Sequence, residues 1–217
     1  MLDDGRGPAS PDIELSAATE GGLRLRLVWP ADPALLSDVL APLESLGLRV
    51  ADHRLGPPPP GRPPATRVDD FGVVCERADL PLSMLAPLVR DTFAAVWDGR
   101  AEVDGLNALV LAAGLSWRQV ALIRAAYRYL RQAGLTFSQA YVERTLGQRP
   151  AVARAVVAAF AERLDPVGGS VTDAGAVGEF EHLLEQVTNL DEDRLLRGLW
   201  QFVLATVRTN YFQHGPD

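Results

Sequence analysis

The stretch from Gly114 to Arg149, GLSWRQVALIRAAYRYLRQAGLTFSQAYVERTLGQR, constrains the fold of this chain more than any other. Ser116 followed by Gln119 is a capping box, which places a helix start at Trp117. Apolar residues then recur on a helical period at Trp117, Val120, Ala121, Ile123, Tyr127 and Leu130. Arg124, Arg128 and Arg131 fall at i, i+4 and i+7, on one face. Gly134 ends the helix, because glycine takes a positive φ without steric cost. Thr136 with Gln139 is a second capping box, and its helix runs to about Leu146. The spacing predicts a helical hairpin turned by Gly134-Leu135-Thr136.

The same residues carry a resemblance. LSWRQVALIRAAYRYLRQAGLTFSQAYVERTL resembles the helical segment ahead of the catalytic domain in the large bacterial NAD-specific glutamate dehydrogenases. LDEDRLLRGLWQFVLATVRTNYFQ is similar to the same family where its helical region runs into the catalytic part. The resemblance spans about Leu23 to Gln213 and is most specific in these two stretches. It implies an internal fragment of a long enzyme that deaminates L-glutamate oxidatively to 2-oxoglutarate and ammonia with NAD. It also implies ACT-like modules ahead of the helical region.

Nearer the N-terminus the period changes. Leu23-Arg24-Leu25-Arg26-Leu27 alternates strictly, as a half-buried strand does. Asp32-Pro33 supplies an N-cap and an N1 proline, and Leu35, Leu36, Val39, Leu40 and Leu43 form the apolar stripe of a helix that Gly47 closes. Leu48 to Leu55 reads as a second strand. Gly56 to Pro64, GPPPPGRPP, is a stiff extended run, read as a loop in preference to a ligand for an aromatic groove. Thr66 to Glu76 returns as a strand, and Asp79 with Pro81 opens a helix that ends at Trp97. Strand, helix, strand, strand, helix is a ferredoxin-like split βαβ plait short of one strand. Either Glu14-Leu15 supplies the missing edge, or the sheet is incomplete.

From Asp104 onward only helical periods are legible. Leu106 to Ala113 is short and stops at Gly114. After the hairpin, Pro150 opens a helix to Leu164, Val177 to Val187 forms another, and Asp191 caps a last one from Glu192 to about Phe212. The fold class expected is α+β: a mobile lead-in over residues 1–22, an ACT-like α/β module over 23–103 and an all-helical module over 104–217.

Residue chemistry bounds the function. All 21 basic residues are arginine, so no Schiff base, P-loop lysine or lysine general base can come from this chain. The family's enzymes bind and deaminate glutamate with lysines, which the resemblance cannot assign here. No G-x-G-x-x-G follows a strand, so the chain lacks a dinucleotide fingerprint. Catalytic, cofactor-binding and metal-binding residues are therefore expected to be none, with NAD held elsewhere in the parent. His53, His182 and His214 stand far apart, without metal-ligand spacing. Asp69 and Asp70 are neighbours on a strand and point to opposite faces, which argues against a catalytic pair. The one cysteine, Cys75, excludes an intrachain disulfide, and no apolar run reaches about 18 residues, so a cytoplasmic setting without membrane contact is expected.

Three functional readings remain. The first is a regulatory or architectural part of the dehydrogenase, docking on the catalytic domain of the same polypeptide within a homo-oligomer. Arg124, Arg128, Arg131, Trp200, Arg208, Asn210 and Tyr211 are its interface candidates. The second is a nucleic-acid-binding module, since seven arginines and one glutamate lie between Leu115 and Phe160. A solvated or interdomain arginine face explains that bias equally and is favoured, because the candidate reading helix holds only Arg144. The third is a free-standing ACT-like sensor of an amino-acid effector.

Overall fold

Alternating leucines and arginines make Leu23–Val28 a strand with one apolar side, and that side sets the architecture. The computed structural model describes residues 10–18, 22–30, 34–75, 81–167 and 174–213, and the side chains of all these except 174–177. Four strands form one sheet: β1 (Asp12–Ala17), β2 (Leu23–Val28), β3 (Leu48–Leu55) and β4 (Val68–Cys75), in the order β1-β2-β4-β3. Every neighbouring pair is antiparallel. Because β2 and β3 both run opposite to β4, they run parallel to each other, and β4 lies between them. This is the split βαβ of the ferredoxin-like plait, with α1 (Leu36–Ser45) as the crossover.

The fourth strand comes from in front of the plait. β1 pairs with β2, and Gly22, just before β2, sits at φ 93°. The Glu14-Leu15 edge is thus the alternative that is realised, and the sheet has its four strands. Part of the stretch expected as a lead-in is structured because Ile13 and Leu15 alternate in step with Leu27 and Leu25 opposite them. Residues 1–9 lie outside the described residues, as do Asp32-Pro33 and Asp79, the expected helix openings. The helices α1 and α2 (Leu82–Trp97) follow Leu35 and Pro81 in extended conformation, without a side-chain cap.

Ile13, Leu25, Leu27, Phe71 and Val73 share one sheet face and are buried. Val39 and Leu43 of α1 and Leu85, Val89 and Phe93 of α2 complete this core. Burying each such side chain contributes roughly 1.5–3 kcal/mol.

The chain divides into two compact units, residues 1–117 and 118–217. The first extends beyond the plait. A 3-10 turn at Gly105–Ala108 packs on α1, and α3 (Leu109–Ala113) packs on α2. Asp104 caps the turn by accepting from the Leu106 N–H at 3.1 Å, and Asn107 donates to Ser45 Oγ at 3.2 Å and to the Glu102 carbonyl at 2.7 Å.

The second unit is helical: α4 (Trp117–Gln132), α5 (Gln139–Gln148), α6 (Pro150–Leu164), α7 (Ala174–Glu185) and α8 (Leu190–Ala205). α6 packs with α5, α7 and α8. Several boundaries differ from the sequence reading; α7, expected over Val177 to Val187, spans Ala174–Glu185. Ser138, not Thr136, caps α5, accepting from the Tyr141 N–H at 3.3 Å. Tyr127 Oη donates to the Phe137 carbonyl at 3.1 Å and holds the longer turn that results. Asn189, not Asp191, caps α8, accepting from the N–H groups of Asp191 and Glu192. α8 stops at Ala205, where Thr206 turns extended and its hydroxyl donates to the Phe202 carbonyl at 2.6 Å. The β-branched and Asn-containing run Thr206, Val207, Thr209, Asn210 disfavours another helical turn.

Candidate functional site

The sheet face opposite the core is organised by register. Glu14, Arg26, Asp70 and Arg54 stand opposite one another across all four strands, an alternating row of charge. Beside it runs the row Ser16, Arg24, Gly72, Asp52. Arg24 Nε donates to Asp70 Oδ1 at 2.8 Å, Nη1 to Asp52 Oδ1 at 2.7 Å and Nη2 to the Asp70 carbonyl at 3.0 Å. Arg54 stands 3.7 Å from the other oxygen of Asp70. Partial burial works against the Arg24 charge, but the hydrogen bonds to Asp52 and Asp70 outweigh it and raise the guanidinium pKa. The hydrogen bond from Arg24 lowers that of Asp52.

Gly72 makes the Arg24–Asp52 bridge possible. A Cβ there would stand 2.0 Å from Asp52 Oδ2 and 2.9 Å from Arg24 Nη1. An irregularity in β3 between Val50 and Asp52 sets Asp52 opposite Gly72. Around these residues lies a concavity of about 470 Å³, which Ala18 after β1, Gly22 before β2, Arg54 and Val74 also line.

The other end of this face is crossed by the proline-rich loop 56–67. Arg26 Nη2 donates to the Pro57 carbonyl at 3.4 Å, and Arg62 pairs with Asp12 on β1. Turns closed by Arg62 N–H to Pro59 and by Thr66 N–H to Pro63 bend the loop twice. That shape supports the loop reading, since a polyproline ligand must stay extended.

Asp69 points to the core side, away from Asp70. It is 3 % exposed and accepts from Trp29 Nε1 at 2.7 Å and Arg67 Nη2 at 3.1 Å, with His53 Nε2 at 2.8 Å. Burial pushes its carboxyl pKa up, but the hydrogen bonds from Arg67, His53 and Trp29 outweigh that and hold it below the ordinary carboxylate value. The His53 ring stacks on Phe71 at 4.7 Å. Asp69 is a fully engaged structural carboxylate.

In the second unit the predicted interface residues have separate surroundings. Arg124 is buried, whereas Arg128 and Arg131 are exposed, so the three do not form one solvent face. Arg131 lies 6.0 Å over the Tyr127 ring. Trp200 is buried and stacks on Phe180 at 4.2 Å. Arg208 and Asn210 are exposed, and Tyr211 is half-buried. Sequence reasoning missed Arg118 and Phe160, against which Tyr211 packs. It also missed Arg24, Asp52 and Gly72. The arginines interleaved in β2 were a usable signal for the first of these. Nothing local marks Phe160.

The described residues do not fit a dinucleotide. Neighbouring strands are all antiparallel, and no Gly-rich turn joins a strand to a helix N-terminus. Among them no group of three His, Cys, Asp or Glu could hold a metal ion, and no helix is long and apolar enough to cross a membrane. His182, exposed on α7, lies 3.4 Å from Glu185, and His214 is outside the described residues.

Three family models match in chain order. Residues 13–84 match the glutamate dehydrogenase ACT3 domain, 101–166 glutamate dehydrogenase helical motif 3, and 179–217 the catalytic domain of bacterial NAD-glutamate dehydrogenase. The NAD-specific glutamate dehydrogenase of Halomonas elongata is 35% identical over 225 residues, covering 100% of this chain and 14% of the relative. Those of Mycobacterium tuberculosis and Pseudomonas aeruginosa are 37% and 36% identical, covering 82% and 93% of this chain. The chain spans only 12% and 13% of these two relatives.

Proposed function

As a stretch of the bacterial NAD-specific glutamate dehydrogenase family, this chain is, we propose, a non-catalytic regulatory and architectural part of such an enzyme. The observation that carries the reading is the order of the three matches: ACT3, helical motif 3 and a stretch of a catalytic domain follow one another along the chain. The parent reaction would be the oxidative deamination of L-glutamate to 2-oxoglutarate and ammonia, with NAD bound outside these residues. The same reading proposes a cytoplasmic, homo-oligomeric parent. The module boundary is proposed at 103/104, close to where the helical-motif match begins at 101.

Two surfaces serve this role. Arg128, Arg131, Arg208 and Asn210, all exposed, are the candidate contacts with the rest of the polypeptide. The concavity around Arg24, Asp52 and Gly72 offers opposite charges side by side, as an amino-acid effector with its ammonium and carboxylate groups requires.

The test compares this chain with the longer polypeptide that carries it, each given glutamate and NAD. Only the longer polypeptide should produce NADH. Deleting the sheet region from it should alter regulation or assembly. Turnover by the chain alone, or a longer polypeptide inert with glutamate and NAD, would overturn the reading.

A further inference from the structure

The segment after α8 does not project from the helical unit. It returns, and its return joins two of the matched modules. Tyr211 meets Phe160 edge-on with ring centroids 5.7 Å apart, and Phe212 stacks on Phe160 at 6.2 Å. Phe202 of α8 faces the same ring at 6.5 Å. Arg118 Nη2 donates to the Tyr211 carbonyl at 3.1 Å, and its guanidinium lies 5.9 Å from the centre of the Tyr211 ring. Gln213 N–H closes a turn onto the Asn210 carbonyl at 3.0 Å. Between α8 and these contacts, Val207 is 82 % exposed and Arg208 is exposed. Arg118 and Phe160 fall within the helical-motif match, and Tyr211 and Phe212 within the catalytic-domain match.

We propose that Arg118 and Phe160 form a clasp that fixes the path of the segment after α8, which lies within the catalytic-domain match, making them positioning residues for the catalytic domain to which that segment belongs. The inference rests on the functional reading above. The physical case is anchorage. A chain leaving a helix through an exposed, β-branched loop has many directions open to it, and fixing each residue costs conformational entropy. Two aromatic rings seated on a buried third, with a charged donor closing the backbone, select one direction. A tilt introduced here would reach whatever the segment leads to.

The test uses the full-length polypeptide. Arg118→Gln and Tyr211→Ala should lower kcat by about three- to tenfold while KM for glutamate and NAD stays within about twofold, with an unchanged melting temperature. Arg118→Lys should recover part of the rate, and Tyr211→Phe, which keeps the ring and the carbonyl, should match the unmodified enzyme. Hydrogen exchange at residues 210–213 should quicken in the two damaging variants. Unchanged kcat in both, or a loss that only follows the unfolded fraction, would overturn the clasp. An unmodified polypeptide without glutamate dehydrogenase activity would instead overturn the functional reading, and the exchange measurement would still judge the clasp.

Discussion

Asp69 and Asp70 are adjacent in sequence and belong to different environments, because successive strand residues face opposite sides of a sheet. On the covered side, Asp69 is a single buried carboxylate surrounded by Trp29, His53 and Arg67. On the open side, Asp70 is one member of a lattice in which each charge has a partner across a strand. A buried charge is tolerated only with its donors in place, whereas the exposed rim of the lattice, Asp52 and Arg54, can lose a member to water. The same residue type is therefore expected to contribute more to stability on the covered face than at the rim of the open one.

The contrast can be broken from its strongest side first. Asp69→Ala strands the buried Trp29 Nε1 donor inside the fold and should cost about 2–3 kcal/mol, read by chemical denaturation. A loss no larger than that of an open-face substitution would erase the distinction.

Gly72→Ala is next. The new methyl group collides with the Arg24–Asp52 bridge, and the expected cost is about 1–2 kcal/mol. Asp52→Ala in the same chain should recover much of it, because the obstructing carboxylate is then gone. Equal stability of the single and double variants would mean that the collision lies elsewhere.

Acid dependence sharpens the comparison further. The folded-state pKa of Asp69 is lowered, so its contribution is present above the unfolded value of about 4 and is lost as pH falls through the lower folded value. Stability should decline on acidification below about pH 4, and the decline should be shallower in Asp69→Asn. Identical slopes would remove Asp69 from the account. The smallest effect belongs to Asp52→Ala alone. Its side chain is 57% exposed, and its loss should fall within the range of ordinary surface ion pairs. A melting shift as large as that of Gly72→Ala would show that the open lattice acts as one unit.

Much of the helical half was legible in advance, because its signals are local. Gly114 at φ 66° and Pro150 at the first turn of α6 mark boundaries by conformations these residues favour by themselves. The end of α8 was less legible. Trp200, Tyr211 and Phe212 all continue an apolar pattern, yet Thr206 leaves the helix and the two later rings turn back to Phe160.

By itself, the sequence determined the strand of alternating leucines and arginines, the split βαβ order, the hairpin between Trp117 and Gln148 and the kinship with glutamate dehydrogenases. These follow from periods of two and 3.6 residues and from short motifs, which need no distant partner. Only the tertiary structure decided that β1 completes the sheet, that Gly72 underlies an ion pair, that the first compact unit extends through α3 to Trp117, and that Phe160 receives the tail. Each depends on residues far apart in the chain, and the free energy of such pairings appears only once the backbone has brought them within a few ångströms.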